Sequence, residues 1–173
     1  WTRLSMKSFP PSAKASGQYM NSMLAVQDAR SRGYDEALLL NHNGKIAEGS
    51  GQNIFIVKDG NIYTNDVNAS ILMGVTRDSI IQICKDLNYS IEIIDITQEM
   101  LMSADEAFFT GSATEVTPIA TIDDKPISDG KPGSITLRLK ELYSKIVHGQ
   151  ESGYRNWLTI TNSYIKKEPI LEE

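Results

Sequence analysis

One lysine in this 173-residue chain has a setting in which amine chemistry is possible. Lys14 lies in the stretch PSAKASGQY, where small or neutral residues flank it and no acidic side chain is close in sequence. Such a lysine is either a solvated surface charge or an amine recruited for covalent chemistry with a carbonyl group. Residues elsewhere in the chain must decide between these two interpretations.

A carboxylate and two glycines occur together in the segment EGSGQN, which runs from Glu48 to Asn53. Gly49 and Gly51 allow the backbone to approach a ligand closely or to adopt a positive φ. Glu48 sits among small residues, where a carboxylate could face a cofactor. The alternative is an ordinary glycine-rich turn with an exposed glutamate, and this segment alone leaves both interpretations open.

Two further segments offer groups that bind anions. Residues 74–78 (GVTRD) run directly into a stretch with helical periodicity, and the amides and hydroxyl at a helix N-terminus form a natural phosphate site. Residues 111–114 (GSAT) supply another hydroxyl and unpaired amides between two predicted strands. Each segment alone is equally compatible with a simple helix cap or turn.

Taken together, these four segments supply the groups that pyridoxal phosphate needs. The aldehyde needs an amine, which Lys14 offers, and the pyridine nitrogen needs an anion, which Glu48 offers. The phosphate needs hydrogen-bond donors, which segments 74–78 and 111–114 offer. The joint pattern therefore predicts a pyridoxal phosphate site, although each segment is ambiguous by itself.

Other chemistries have weaker support. The two histidines, His42 and His148, have no carboxylate or cysteine at metal-ligand spacing, and no G-x-S-x-G nucleophile motif is present. Cys84 falls on the apolar face of a predicted helix, which favours a core position over a nucleophile. Asp105 and Glu106 are adjacent in a predicted strand, so their side chains would point to opposite faces rather than share a site.

The composition is typical of a globular domain with a sizeable core, with 40% hydrophobic and 23% charged residues. A net charge of −5, with both signs interspersed, argues against a nucleic-acid partner. No apolar run is long enough to span a bilayer, which argues against a membrane protein. A single cysteine cannot form an internal disulfide, so a reducing compartment, the cytoplasm, is expected.

The elements that must position these groups can be predicted from periodicity and turn signals. Helices are predicted at 17–32, 77–87, 97–103 and 134–148, the first capped by Ser16 and ended by Gly33. Strands are predicted at 36–41, 53–58, 61–64, 89–94, 106–110 and 114–121. Hairpin turns are predicted at Asn43-Gly44 and Asp59-Gly60. This mixture of hairpins and separated helices favours an α+β domain over a doubly wound parallel sheet.

The chain resembles the larger, C-terminal domain of the class IV (fold type IV) pyridoxal-phosphate aminotransferases, and most closely the branched-chain amino acid aminotransferases. The resemblance runs from about Ser12 to Trp157. Its carriers, in order, are the motifs SAKASGQY, IAEGSGQNIF, ILMGVTRD, ADEAFFTGSATEVTP and DGKPG. It implies a pseudo-barrel-like α+β domain of hairpins and strands with flanking helices.

The resemblance also implies roles for individual residues. Lys14 would form the internal aldimine with pyridoxal phosphate. Glu48 would lie against the pyridine nitrogen, and Tyr19 would hydrogen-bond the phenolic oxygen of the ring. The implied phosphate ligands are Val75, Thr76 and Ser112. The implied ligands of the substrate carboxylate are the amides of Ser112 and Ala113.

The implied activity is transamination of leucine, isoleucine or valine with 2-oxoglutarate, in a homodimer or larger assembly. D-amino acid aminotransferases and aminodeoxychorismate lyases share the fold and remain alternatives, as does a catalytically silent domain. The domain division expected is an interdomain linker at 1–12, a pyridoxal-phosphate-binding domain at 13–160 and a tail at 161–173. Because the family's smaller N-terminal domain is missing, the chain is expected to be a fragment that is inactive, or nearly so, by itself.

Overall fold

A computed structural model describes residues 1–159 of the chain. Its α-helices are α1 (Tyr19–Ser31), α2 (Val75–Asp86), α3 (Gln98–Met102) and α4 (Ser134–Val147). Its strands are β1 (Leu38–Leu40), β2 (Ile46–Gly49), β3 (Asn53–Lys58), β4 (Asn61–Thr64), β5 (Ile91–Ile93), β6 (Glu106–Gly111), β7 (Glu115–Pro118), β8 (Thr121–Ile122) and β9 (Lys125–Pro126). Short 3-10 helices lie at Pro11–Ala13, Ser16–Gln18, Val67–Ala69 and Ser152–Trp157.

A five-stranded sheet in the order β5-β4-β3-β6-β7 forms the centre of the fold. Its strands pair antiparallel except for β4 and β5, which run parallel. Strand β3 lies in the middle, and its pairing with β6 runs from Asn53 opposite Thr110 to Val57 opposite Glu106. The pairs β1-β2 and β8-β9 form two separate antiparallel ribbons. The α+β class expected from the sequence is confirmed.

The central sheet has a hydrophobic core on each face. Phe55 and Phe108 stack with their ring centroids 5.0 Å apart on the face that packs against α2 and α4. Ile54 and Ile56 alternate with Phe55 along β3 and contribute to a second core on the opposite face. Because β3 is buried on both sides, its continuous apolar run is what a central strand requires.

Several predicted elements agree with the structure, and the largest differences are at the ribbons. Strands 53–58 and 61–64 have the predicted bounds, and the turn between them has the positive φ angles, 50° at Asp59 and 77° at Gly60, of a tight hairpin. The sequence did not predict β2, β8 or β9 as separate strands. The predicted Ser16 cap is wrong, because a 3-10 turn precedes α1 and places Gln18 at its N-cap position.

No helix within residues 1–159 is both long and apolar enough to cross a membrane. The tail predicted at 161–173, and Ile160 at the end of the predicted domain, lie outside the described residues.

The side chain of Glu106, on strand β6, connects the central sheet to helix α4 through hydrogen bonds. Its carboxylate accepts hydrogen bonds from the backbone amides of Ile135, at 3.1 Å, and Thr136, at 2.7 Å. These amides lie in the first turn of α4, where no helical carbonyl is available to them. Gly133 packs so closely on Glu106 that a Cβ atom there would overlap the carboxyl group.

We expect the substitution Glu106→Gln to lower the free energy of unfolding by about 1–3 kcal/mol, because one carboxylate oxygen is replaced by an NH2 group that faces a buried amide donor. Urea unfolding measured by circular dichroism tests this. Glu92→Gln, an exposed change on β5, serves as the control and should shift stability by less than about 0.5 kcal/mol. Equal effects of the two substitutions would show that Glu106 does not hold α4.

Candidate active site

Glu48, the third residue of β2, is only 3% exposed, and both of its oxygens have partners. Oε1 pairs with Nη2 of Arg3 at 2.6 Å, and Oε2 accepts from Nδ2 of Asn53 at 3.0 Å. The backbone amide of Leu72 donates to both oxygens, at 3.2 and 3.1 Å. Of the two interpretations of the EGSGQN segment, the structure therefore favours a buried and fully bonded carboxylate over an exposed turn residue.

Arg3 is the functional candidate that the sequence analysis missed. Its guanidinium is buried between Glu48 and Ser22, whose Oγ accepts from Nη1 at 2.8 Å. Its backbone amide donates to the carbonyl of Leu40 at 2.7 Å, and Thr2 forms a parallel bridge to the same residue. The start of the segment predicted as linker 1–12 is thus packed on β1 and α1. An arginine near the start of the chain was the only signal, and it did not identify a partner.

Burial and ion pairing act on the pKa of Glu48 in opposite directions. Removal from water raises the pKa, whereas the Arg3 guanidinium and the Leu72 amide lower it, and the net result is a pKa of about 7. The carboxyl group therefore changes its charge near neutral pH. A cationic group brought next to Glu48 would favour its ionised form, and Glu48 would in turn favour the protonated form of a neighbouring base.

The N-terminus of α2 lies close to Glu48, because Leu72 precedes it by only a few residues. Gly74 occupies the N-cap position without a side-chain cap, so the amides of the first turn have no helical acceptor. Val75 is 80% exposed, whereas Thr76 is 3% exposed and its hydroxyl lies 3.4 Å from the hydroxyl of Tyr143. The free donors at this turn are therefore backbone amides rather than the threonine hydroxyl.

The turn at residues 111–114 packs against the segment that follows Glu48. A Cβ atom on Gly111 would lie 2.9 Å from Oγ1 of Thr114 and 3.4 Å from the carbonyl oxygen of Gly51, so glycine is required for this close approach. Ser112 and Ala113 are exposed at the tip of the turn. The structure therefore brings two of the predicted segments, 48–53 and 111–114, into contact.

An open cavity of about 490 Å³ borders the same segment. Tyr19 and Ser22 of α1 line one side, and Ser50 and Gly51 line the other. Tyr19 is half-buried at the start of α1. Ser22 also binds Arg3, so the wall of the cavity is connected to Glu48 through two side-chain contacts.

Lys14 lies in the loop before α1, and its side chain is exposed. Its backbone has φ 44° and ψ 33°, the left-handed conformation that is strained for a lysine. Its amide donates to the carbonyl of Pro11, which also accepts from Nε2 of Gln18. Within residues 1–159 no hydrogen bond or ion pair joins the Lys14 amine to Glu48 or to the other predicted site residues.

The groups assigned to other roles are placed as the sequence indicated. Cys84 is fully buried in the core between the sheet and α2, and burial raises the pKa of its thiol to about 12. Asp105 binds Lys58 at the surface, whereas Glu106 reaches α4, so the two carboxylates do not form one site. Among residues 1–159, no three His, Cys, Asp or Glu side chains are grouped as metal ligands.

We expect a pH dependence of stability that is specific to Glu48. Between about pH 4.5 and 7 the folded chain keeps a proton on Glu48 that the unfolded chain releases, so stability falls as the pH rises through this range. The free energy of unfolding, relative to Glu48→Gln, should decrease by on the order of 3 kcal/mol across this window and level off above it. Urea unfolding at a series of pH values, without added cofactor, measures this difference. A difference that is flat with pH, or that rises, would contradict the assignment.

Comparison with known proteins places these features in a family. Residues 1–122 match the family model described as amino-transferase class IV. A probable branched-chain-amino-acid aminotransferase of Aquifex aeolicus is 45% identical over 160 residues, which cover 92% of this chain and 51% of the relative. The corresponding enzyme of Pseudomonas aeruginosa is 45% identical over 148 residues, 86% of this chain and 48% of its own length.

Solved structures agree with this placement. The branched-chain amino acid aminotransferase of Thermoproteus uzoniensis, solved with norvaline, superposes with a TM-score of 0.88 and 46% identity, over 92% of this chain and 52% of that one. The branched-chain amino acid aminotransferase of Thermobaculum terrenum in its PLP-form superposes with a TM-score of 0.89 and 42% identity, over 92% of this chain and 52% of that one. The chain thus spans about half the length of the curated relatives it matches. With the family match covering most of its residues, the chain belongs to the class IV aminotransferases.

Proposed function

We propose that these residues form the cofactor-binding part of a pyridoxal-phosphate-dependent aminotransferase that exchanges the amino groups of leucine, isoleucine and valine with 2-oxoglutarate. The observation that carries the proposal is the buried carboxylate of Glu48. It is bonded on one side to Arg3 and on the other to the turn that begins α2. Membership of the family and the identity of the relatives support the choice of substrates.

The groups of this chain fit the cofactor in charge and in donor type. A pyridine nitrogen beside Glu48 would hold its proton, because the negative charge of the ionised carboxylate would stabilise the positive charge of the ring. The amides at Val75 and Thr76 supply donors and a favourable dipole for a phosphate dianion. Ser112 would add a hydroxyl to the phosphate, and Tyr19 would donate to the phenolic oxygen of the ring.

When bound, pyridoxal phosphate supplies an electron sink for the carbanion that remains after the α-proton of an amino acid has been removed. Lys14 would hold the cofactor covalently until an amino acid displaces its amine. The freed amine would then accept the α-proton as a base and return it to the neighbouring cofactor carbon as an acid. The left-handed backbone at Lys14 supports a functional role, because strained conformations concentrate at such sites.

Substrate orientation would depend on the tip of the 111–114 turn. Ser112 and Ala113 are exposed there, and their amides would donate to the substrate carboxylate. A related branched-chain amino acid aminotransferase, 46% identical to this chain, has been solved with 4-methylvaleric acid, whose aliphatic skeleton is that of leucine. This supports an apolar, branched side chain as the part of the substrate that is selected.

The proposal includes a homodimer or larger assembly in the cytoplasm. Helix α1 carries three exposed apolar side chains, Met20, Met23 and Leu24, and a contiguous apolar surface of this kind favours a further protein interface. The single cysteine is buried and unpaired, which supports a reducing compartment. No nucleic acid or membrane partner is proposed.

The first test is covalent capture of the cofactor by Lys14. We expect pyridoxal phosphate followed by borohydride reduction to add one phosphopyridoxyl group to the peptide that contains Lys14, with loss of water and gain of two hydrogens, and to leave Lys14→Ala unlabelled at that peptide. Lys7→Ala is the matched control, since Lys7 is an exposed lysine of the same segment, and it should keep the label. Labelling spread equally over exposed lysines, with no preference for Lys14, would reject the proposed role.

The second test concerns the substrate. In the enzyme that contains these residues, amino transfer to 2-oxoglutarate should be faster with L-leucine, L-isoleucine and L-valine than with D-alanine or D-leucine, by several orders of magnitude in kcat/KM. The physical reason is that one face of the substrate must present its α-proton to the Lys14 amine. Coupled spectrophotometric detection of glutamate measures the L-substrates, and chromatography of the 2-oxo acids covers the D-panel. A preference for the D-amino acids would reject the branched-chain assignment while leaving the family unchanged.

A further inference from the structure

Asn53, the first residue of β3, joins two parts of the proposed site. Its side chain is buried, and its single Nδ2 group donates to Oε2 of Glu48 at 3.0 Å and to the carbonyl of Leu72 at 2.7 Å. The amide of Leu72 donates back to Oε2 of Glu48 at 3.1 Å. These three hydrogen bonds form a closed ring between the carboxylate and the chain that leads into α2.

Gly74 shows how closely this turn is fitted to Asn53. A Cβ atom on Gly74 would overlap Oδ1 of Asn53. The backbone of Gly74 has φ −75° and ψ 142°, an extended conformation that any residue adopts. Glycine is therefore required by the space that Asn53 fills and not by the backbone conformation. The amide side chain thus contacts the turn at two points, Leu72 and Gly74, just before the first amides of α2.

An aspartate or a serine would not reproduce the contacts of the Asn53 side chain. Both acceptors of Nδ2 are oxygens, and an aspartate, which lacks the NH2 group, could not donate to Glu48 and to the Leu72 carbonyl at the same time. A serine is shorter and has one donor for two acceptors. The side-chain amide of Asn53 therefore sets the separation between Glu48 and the N-terminus of α2, because neither aspartate nor serine can make both hydrogen bonds.

We infer that Asn53 is a positioning residue that holds the anion-binding turn of α2 at the distance from Glu48 that one ligand, with a basic ring nitrogen at one end and a phosphate at the other, requires. The inference rests on the proposed function and deepens it, because Asn53 would act through Glu48 and the turn rather than on the ligand itself. If Asn53 holds Leu72 and the start of α2 next to Glu48, the free energy that the phosphate group adds to binding depends on the Asn53 side chain.

The phosphate contribution can be measured with two ligands that differ only in that group. We expect the wild-type chain to bind pyridoxal 5'-phosphate more tightly than pyridoxal. The ratio measured is the dissociation constant of pyridoxal divided by that of pyridoxal 5'-phosphate, and Asn53→Asp should reduce this ratio by about tenfold. Asn41→Asp is the control. Asn41 is equally buried, but its Oδ1 accepts from the amides of Asn43 and Lys45, and an aspartate retains that acceptor. The ratio should remain at the wild-type value in this control.

A double-mutant cycle between Asn53 and Gly74 gives a readout that a general loss of stability would not produce. Gly74→Ala alone should lower the ratio, because the new methyl group displaces the Asn53 amide. Asn53→Ser alone should lower it to a similar degree. In the double variant the methyl group occupies the space vacated by the asparagine, so the effects should be far from additive. Additive effects would overturn the inference. If the Asn53→Asp variant does not fold, Asn53→Ser takes its place in the binding comparison.

Hydrogen exchange of the Leu72 amide separates this inference from the proposed function. Without ligand, this amide should exchange faster in Asn53→Asp than in Asn41→Asp at equal global stability. A wild-type chain that binds the two ligands equally would overturn the phosphate site of the proposed function, while faster Leu72 exchange would still support the positioning of the turn. A wild-type preference for the phosphorylated ligand that Asn53→Asp leaves unchanged would overturn the role of Asn53 and leave the function standing.

Discussion

The buried carboxylate of Glu48 is the group around which the rest of the site is arranged. A charge removed from water is costly unless an opposite charge and hydrogen-bond donors replace its hydration. Here the replacement comes from Arg3, Asn53 and the Leu72 amide, which belong to three separate parts of the chain. Burial still outweighs these contacts and raises the pKa of Glu48 to about 7. The carboxyl group therefore titrates near neutral pH, and a neighbouring cation would favour its ionised form.

Strand β3 connects this polar cluster with the packing that makes it rigid. Its first residue, Asn53, belongs to the cluster, and the next four residues are buried in the two cores of the sheet. A side chain at the start of such a strand has little freedom to move, because a shift along β3 would disturb both cores and the pairing with β4 and β6. The precision of the site is thus derived from hydrophobic packing as well as from its hydrogen bonds.

Close approach of neighbouring side chains, rather than special backbone angles, explains Gly74 and Gly111. Gly74 and Gly111 both contact neighbouring groups too closely for a Cβ atom, and both have partners on other elements. The strained position is instead Lys14, a non-glycine residue with a positive φ in an exposed loop. Closely packed turns therefore lie at the proposed ring and phosphate contacts, whereas the lysine proposed for the covalent contact lies in a loop with its side chain exposed.

Local patterns in the amino-acid sequence were sufficient to predict the α+β class, the hairpin from Asn53 to Thr64 and the helix that follows Gly74, and they singled out the candidate site segments. These features depend on side-chain periodicity, turn chemistry and helix ends, all of which act over a few residues. The packing of Arg3 on Glu48, the bridge from Asn53 to Leu72 and the fastening of α4 by Glu106 depend on residues far apart in the chain. No local pattern predicts them, because an ion pair or a buried hydrogen bond forms only where the fold brings two groups together away from water. Folding therefore brought residues from separate parts of the chain into one buried polar cluster, and it placed Arg3, which sequence patterns had left within a linker, against Glu48.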